Sequence, residues 1–317
     1  MTDSGVPPPS WDAAAAPASP ARPRRMPLAD LFEETIRIYR RTFVVMLGFS
    51  ALVQIPILLA SVPVWSQQSE WFQRVSDPTF VMDPQVLWGF FGATILIVIV
   101  SLIVGAFGGA AMVYVAGRGK LGDRPSFGEV FSALRRLAPR LLGYIGVWVL
   151  GSLLATIGLF VVFFIVIFLG ALVAAGSGLA VFWGVVTGVA IVVAVLVVLI
   201  RFALSLPVLV LEQVSAVGSM RRSWNLVKGA TLRTLGIFAV AGIAIGLVSS
   251  ITGLFYSADM FEGMLTGDMS RYLLLVLISG AVNTLVSPIL PTLLTLLYYD
   301  YAGLSPASLQ KQPITGG

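Results

Sequence analysis

Residue types that could do chemistry are few in this 317-residue chain. It contains no histidine and no cysteine, which excludes a Ser-His-Asp triad, thiol chemistry, disulfides and the usual zinc, haem and iron–sulfur ligands. Metal-free acid–base catalysis would need paired carboxylates at the same depth in the membrane, and Glu212 and Asp300 are the acids closest to apolar segments on one side. Because no nucleophile–base constellation accompanies them, we predict that the chain is not an enzyme and holds no cofactor.

Arg201 is the one charged residue in the apolar stretch Leu141–Leu211. A buried arginine costs about 2.5–3.5 kcal/mol on insertion scales and marks a functional candidate by default. If the helix ends near Ile200, Arg201 lies at the cytoplasmic interface; if the helix continues to the end of the stretch, Arg201 lies about 15 Å inside it. A structural or snorkelling role is favoured over contact with a ligand, and Glu212 and Asp300 are candidate partners.

Gln54 and Asn283 are the other polar side chains deep within apolar segments. Hydrogen bonding between helices is the favoured interpretation, and contact with a substrate is the alternative. Three prolines, at positions 207, 288 and 291, are expected to bend or kink their helices. The alternative for the last two is that they open backbone carbonyls toward a cavity, as in transporters.

The composition requires a membrane around these residues. Hydrophobic residues make up 57% of the chain and charged residues 11%, about half the charged share of a soluble domain, so we predict an all-α integral membrane protein. The six predicted transmembrane helices are Phe43–Trp65, Leu87–Gly117, Leu141–Val173, Ala180–Leu211, Leu235–Tyr256 and Tyr272–Tyr299. Small-residue pairs expected to favour close helix packing are Gly105 with Gly109, Gly184 with Gly188, and Gly242 with Gly246.

Lysines and arginines are distributed unequally about those spans. All of the 20 basic residues except Arg74 and Arg271 fall on one side of the predicted membrane. This positive-inside bias predicts a multi-pass protein of the cell membrane with both termini in the cytoplasm. The basic residues lie where anionic headgroups are found, so the predicted partners are the bilayer and its anionic lipids, and not nucleic acid.

Three basic cytoplasmic segments have the apolar periodicity of amphipathic helices. We predict an N-terminal cap at Asp30 and Glu33 in the first, a capping box at Ser126 and Glu129 in the second, and a C-cap at Gly229 in the third. The predicted apolar stripes are Leu28, Leu31, Phe32, Ile36, Tyr39 and Phe43; Phe127, Val130, Phe131, Leu134 and Leu137; and Val217, Met220, Trp224 and Val227.

These amphipathic segments carry the basic residues predicted to meet anionic lipid or a protein partner. The favoured interpretation is that the helices anchor the bundle at headgroup level, and specific recognition of a lipid or a soluble partner is the alternative. The candidate residues are Arg37, Arg40, Arg41, Arg135, Arg136, Arg221, Arg222 and Lys228.

The same segments share a register, which predicts an internal repeat. The spacing from Tyr39 to Gly48 recurs from Leu134 to Gly143 and from Val227 to Gly236. We therefore predict three parallel units, each an amphipathic helix followed by a transmembrane hairpin. The predicted divisions are a disordered Pro/Ala-rich tail at 1–26, a membrane domain at 27–304 with units at about 27–117, 124–211 and 213–300, and a short cytoplasmic tail at 305–317.

Three stretches are the most distinctive: PLADLFEETIRIYRRTFVVMLGFSALVQIP from Pro27, RFALSLPVLVLEQVSAVGSMRRSWNLVKGATLRTLGIF from Arg201, and SPILPTLLTLLYYDYAGL from Ser287. Together they resemble the membrane domain found ahead of some bacterial glycerophosphoryl diester phosphodiesterases, over about 27–304. The esterase barrel of that family would need histidines and a soluble domain of roughly 250 residues. The resemblance therefore implies a stand-alone membrane domain without the esterase.

Residue types and resemblance lead to two expected functions. The favoured one is a non-enzymatic membrane module that organises lipid or recruits a partner protein through its basic amphipathic helices. The alternative is a transporter or channel for a small anionic or lipid-like solute, with Arg201 as an anion contact.

Overall fold

The computed structural model describes residues 25–75, 84–173, 179–266 and 270–304. These ranges are helical and contain no strand, as a chain that must satisfy its backbone inside lipid requires, so the all-α prediction is confirmed. The helices are α1 Leu28–Arg41, α2 Phe43–Val75, α3 Pro84–Lys120, α4 Phe127–Val173, α5 Leu179–Phe202, α6 Ser205–Glu212, α7 Ala216–Val227, α8 Thr231–Thr266, α9 Ser270–Val286 and α10 Ile289–Ala302. Nearly all of the two predicted tails lies outside the described residues.

Six segments of the described chain are long and apolar enough to cross a membrane, as predicted. They are Phe43–Ser61, Phe91–Lys120, Phe127–Ile165, Phe182–Glu212, Thr231–Ser250 and Val276–Ala302. The second amphipathic segment differs from expectation, because it is the first part of the 47-residue helix α4 and runs into span 3 through Pro139. It is therefore continuous with the span.

Spans 4 and 6 are each interrupted, span 4 in its second half and span 6 close to its middle. Span 4 is α5 followed by α6, and span 6 is α9 followed by α10. Pro207 lies in the first turn of α6 and Pro288 directly precedes α10. Proline lacks an amide hydrogen and is tolerated at the start of a helix, so both interruptions lie where the sequence allows a new helix to begin.

The best-packed part of the bundle is the end at which the amphipathic segments lie, named the basic end below. The last turns of α3 pack against α6 and α10, and α1, the start of α4 and α7 surround them. The buried apolar side chains of this core include Ala111, Val113, Val115, Val208, Leu209, Leu293, Leu296 and Leu297. Farther along α4 and α5, apolar side chains such as Leu154 and Val189 are exposed, as expected of a surface that faces lipid.

The three-unit repeat stays a prediction, while the helix termini can be compared directly. The capping box is confirmed, since Ser126 N–H donates to Glu129 Oε2 at 3.0 Å and Glu129 N–H donates to Ser126 Oγ at 3.3 Å. The predicted cap at Asp30 is wrong: the Pro27 carbonyl accepts from Leu31 N–H, so α1 begins at Leu28. Asp30 lies in the first turn, where its charge complements the helix dipole.

The third amphipathic helix ends differently from the prediction, and of the predicted stripe only Val227 is fully buried. Ser215 Oγ accepts from Gly218 N–H at 3.2 Å to cap α7, and Lys228 occupies the C-cap position predicted for Gly229. The fully buried residues on its inner face are Ser219, Ser223 and Val227. The predicted stripe residues Val217 and Trp224 are exposed, because α7 turns a hydroxyl-bearing face toward the interruption of span 4.

The glycines at which spans pack closely are mostly not the predicted ones. A Cβ built on Gly108 would overlap Val53, and one on Gly280 would lie 2.9 Å from Leu58 Cδ1. Of the predicted glycines, only Gly109 approaches another helix, with Leu206 Cδ2 at 3.0 Å. Among the described residues, no atom lies within 4 Å of a Cβ built on Gly105, Gly184, Gly188, Gly242 or Gly246.

Candidate functional site

Arg201 lies one residue before the end of α5 and faces α7. Its guanidinium carbon is 4.8 Å from the centre of the Trp224 ring, a cation–π geometry. The Nε atom is buried and has no hydrogen-bond partner among the described residues, and the side chain forms no ion pair with Glu212 or Asp300. The two partners considered from the sequence are thus engaged elsewhere, and the aromatic ring of α7 takes their place.

The interruption of span 4 beside Arg201 is closed by side-chain hydroxyls. Ser223 Oγ donates to the Arg201 carbonyl at 2.8 Å and accepts from Leu204 N–H at 3.2 Å. Across the same turn, the Ser205 and Tyr144 hydroxyls are 2.9 Å apart. Backbone groups that the break releases are therefore bonded within the protein.

Glu212 ties the end of α6 to two neighbouring helices. Its Oε1 accepts from the Tyr298 hydroxyl at 2.9 Å and from Arg222 Nε at 3.3 Å. Tyr298 belongs to α10 and Arg222 to α7, so one carboxylate joins three elements of the basic end. The sequence indicated Glu212 but no signal indicated Tyr298, because the contact spans 86 positions.

Asp300 has a similar structural role at the other side of α10. Its Oδ2 is 2.6 Å from Arg233 Nη1, and its Oδ1 accepts from Met26 N–H at 2.7 Å. Arg233 in turn donates to the Met26 carbonyl at 2.6 Å. The Tyr301 ring lies between the guanidinium groups of Arg233 and Arg25, at 5.4 and 5.2 Å. The chain segment before α1 is thus held against α8 and α10.

Gln54 and Asn283 are not brought together with the charged residues. Neither side chain forms a hydrogen bond with another residue of the described ranges, so the expected interhelical bonds are made by other groups. Ser50 of α2 donates to the Thr284 carbonyl of α9 at 2.6 Å and also contacts the Ser287 hydroxyl. The Tyr39 hydroxyl of α1 donates to a carbonyl of α9, and burial raises the pKa of Tyr39.

The eight predicted basic residues fall into two groups. Arg37 pairs with Glu33 and Glu34, Arg41 donates to the Gly122 carbonyl, and Arg222 pairs with Glu212. The remaining five are exposed and have neither a hydrogen bond nor an ion pair with another described residue: Arg40, Arg135, Arg136, Arg221 and Lys228. Every amphipathic segment therefore presents at least one free cation.

Two concave surfaces lie beside these cations. The larger is an apolar groove of about 710 Å³ between α2, α3 and the start of α4, and Arg135 borders it. The smaller is a cavity of about 280 Å³ at the junction of α1 and α2, lined by Arg40, Arg41 and Arg124. Arg124 was missed from the sequence because it lies before the capping box, outside the amphipathic stripes. Within the described ranges no cluster of acidic side chains could hold a metal ion.

Fold and composition together define a polytopic α-helical integral membrane protein. Residues 179–312 match the family model described as the membrane domain of glycerophosphoryl diester phosphodiesterase. This match confirms the resemblance for the two stretches beginning at Arg201 and Ser287, whereas the stretch beginning at Pro27 lies outside it. No curated protein and no solved structure matches the chain. The contacts of Arg201, Glu212 and Arg233 with α7 and α10 all fall within the matched residues.

Proposed function

We propose that the chain is a non-enzymatic membrane module that collects anionic lipid at its basic end. The observation that carries this proposal is the set of exposed cations without protein partners on all three amphipathic segments. Each such Lys or Arg near an anionic membrane surface contributes about 1 kcal/mol of attraction. Because the helices beneath them pack into one apolar core, the backbone positions that present these cations are fixed at the ends of the spans.

Rigid placement distinguishes such a module from a flexible basic tail. Leu134 and Leu137 anchor the segment that presents Arg135 and Arg136, and Val227 anchors the segment that presents Arg221. Cations presented from a packed backbone enrich anionic lipids without the loss of backbone conformational entropy that ordering a mobile segment would require. The module is therefore expected to set the composition of lipids around it.

Co-purifying lipid tests the proposal. The triple variant R135Q/R136Q/R221Q removes one free cation or more from each of two segments, and R135K/R136K/R221K keeps the charge as a matched control. After gentle extraction, we expect anionic lipid to be enriched over the bulk membrane in the wild type and the lysine variant, and depleted toward bulk composition in the glutamine variant. A bulk-like lipid profile around the wild type contradicts the proposal, and a stoichiometric protein in a pull-down would favour partner recruitment.

The two interrupted spans support a second candidate, passage of a small anionic or lipid-like solute. Interrupted helices in transporters leave backbone groups to bind substrate. The hydroxyl of Ser223 bonds the groups released at the first interruption, which makes the module the better-supported candidate. Uptake of glycerophosphodiesters into reconstituted vesicles, compared between wild type and R201Q, tests transport: equal flux removes Arg201 from any path, and no flux in either removes this candidate.

A further inference from the structure

A small cavity at the junction of α1 and α2 has three arginine side chains in its wall. Arg40 and Arg41 come from the last turn of α1, and Arg124 comes from the loop between α3 and α4. Phe43 and Val44, the first residues of span 1, also line the cavity. The cavity is therefore lined by both arginines and apolar residues at the level where a span begins.

Carboxylates near this cavity are already engaged. Asp123 pairs with Arg118 at 3.2 Å, and Glu34 pairs with Lys120 at 3.1 Å. Among the described residues, no acidic side chain lines the cavity, and Arg40 and Arg124 form no hydrogen bond or ion pair with one another or with any other of these residues. Like charges held close together repel one another unless an anion offsets them.

Arg41 is oriented by the loop that carries Arg124. One of its guanidinium nitrogens donates to the Gly122 carbonyl, and Gly122 has a φ of +95°, a conformation that glycine adopts without strain. The carbonyl is turned toward α1 by that conformation. The loop thus fixes one arginine while the other two keep their donors free.

We propose that this cavity binds the phosphate group of an anionic phospholipid, whose acyl chains lie along Phe43 and Val44. The inference deepens the proposed function and rests on it, since it names one saturable site within the basic end. Guanidinium groups match phosphate oxygens with paired donors. Val44 is 71% exposed and therefore offers an apolar surface beside the charges, which a free phosphate ion would not use.

The cavity's size agrees with a headgroup and not with a whole lipid. Its volume of about 280 Å³ leaves room for a phosphoryl group and its ester oxygens. Acyl chains must then remain outside, against the start of α2.

Binding to the purified full-length chain in detergent tests the site. Short-chain phosphatidylglycerol is titrated and bound lipid is counted by native mass spectrometry, for the wild type, R40Q/R124Q and the control pair R136Q/R221Q. We expect one saturable site whose affinity falls about tenfold for each pocket arginine removed. The control pair loses the same charge from two arginines that the proposed function assigns to diffuse enrichment of lipid and that lie outside the cavity, so the affinity of the saturable site should stay within about twofold.

Competition with inorganic phosphate distinguishes a site for a lipid phosphate group from a site for a free phosphate ion. Weak or no displacement of phosphatidylglycerol by phosphate supports the lipid assignment, whereas saturable binding of phosphate without lipid binding overturns it. Equal losses in the two double variants also overturn the site, while leaving diffuse enrichment at the basic end intact. If anionic lipid is not enriched around the wild type but phosphatidylglycerol still binds at one saturable site, the proposed function is contradicted and the site is not.

A conservative variant guards against misfolding. R40K/R124K keeps both charges but replaces the planar paired donors with single ammonium groups. We expect it to elute as the wild type does on size exclusion and to bind phosphatidylglycerol with an affinity between those of the wild type and R40Q/R124Q. If R40K/R124K and R40Q/R124Q both bind phosphatidylglycerol as tightly as the wild type does, the proposal is contradicted.

Discussion

Asp300 Oδ2 and Arg233 Nη1 form an ion pair at 2.6 Å, and both side chains also hydrogen-bond to the main chain of Met26. The Asp300 side chain is only 5% exposed and that of Arg233 21% exposed. Removal of one partner from a buried pair leaves an uncompensated charge in a poorly solvated place, and this costs more than the pair itself contributes. The pair therefore matters for holding the segment before α1 on the bundle.

Replacing Arg233 by methionine should destabilise the protein by about 3–5 kcal/mol, the range measured when one member of a buried pair is removed. Methionine keeps an apolar stem of similar length, so lost packing contributes little. Thermal unfolding in detergent, followed by far-UV circular dichroism, measures the effect.

Arg37 provides the matched control, because its side chain is 66% exposed, its partner Glu33 is 72% exposed, and its second partner Glu34 keeps an ion pair with Lys120. R37M should change stability by less than about 1 kcal/mol, because solvent screens exposed pairs. Equal midpoints for R233M and R37M would show that burial of Asp300 does not govern the energetics.

The spans and one helix cap could be predicted from local sequence patterns, whereas the long-range polar contacts could not. Hydropathy alone located six spans, and the Ser126–Glu129 box depends on residues three positions apart. The Arg233–Asp300 pair joins residues 67 positions apart, so it exists only once α8 and α10 have packed. Trp224 was assigned to the buried stripe because hydrophobicity does not reveal that serines are needed beside an interrupted helix.

Ser223→Ala should destabilise the protein by about 2–3 kcal/mol. Its hydroxyl is fully buried and satisfies the Arg201 carbonyl and the Leu204 amide at the interruption of span 4, and buried groups left without a partner each cost roughly 1–3 kcal/mol. Thermal unfolding measures the loss, and Ser152→Ala, whose exposed hydroxyl bonds only a carbonyl of its own helix, is the control with no expected change. A midpoint shift of equal size in both variants would argue against a special role of the interruption.

Gly108→Ala should destabilise the contact between α2 and α3 by about 1–3 kcal/mol, the usual cost of overpacking. The new Cβ would overlap Val53 Cγ2 and lie 3.3 Å from Val53 Cβ, and a β-branched side chain has few rotamers with which to move away. Unfolding in detergent measures the change.

Gly105 on the same helix provides the opposite expectation. No described atom lies within 4 Å of a Cβ there, so Gly105→Ala should keep or raise stability, by up to about 1 kcal/mol from helix propensity. A larger loss of stability for Gly105→Ala than for Gly108→Ala would show that α2 and α3 do not approach each other most closely at Gly108. Spacing of small residues in the sequence favoured Gly105, because it cannot tell which face of α3 meets α2.

The orientation of the bundle is testable because the chain has no cysteine of its own. Single cysteines at Ser126, in the basic segment between spans 2 and 3, and at Thr79, between spans 1 and 2, should react on opposite sides of the membrane. The positive-inside bias predicts that a membrane-impermeant maleimide labels Thr79→Cys in intact cells and labels Ser126→Cys only after permeabilisation. Labelling of Ser126→Cys in intact cells would reverse the orientation and place the cationic cavity at the outer leaflet, where the anionic surface potential that favours phosphatidylglycerol binding is weaker.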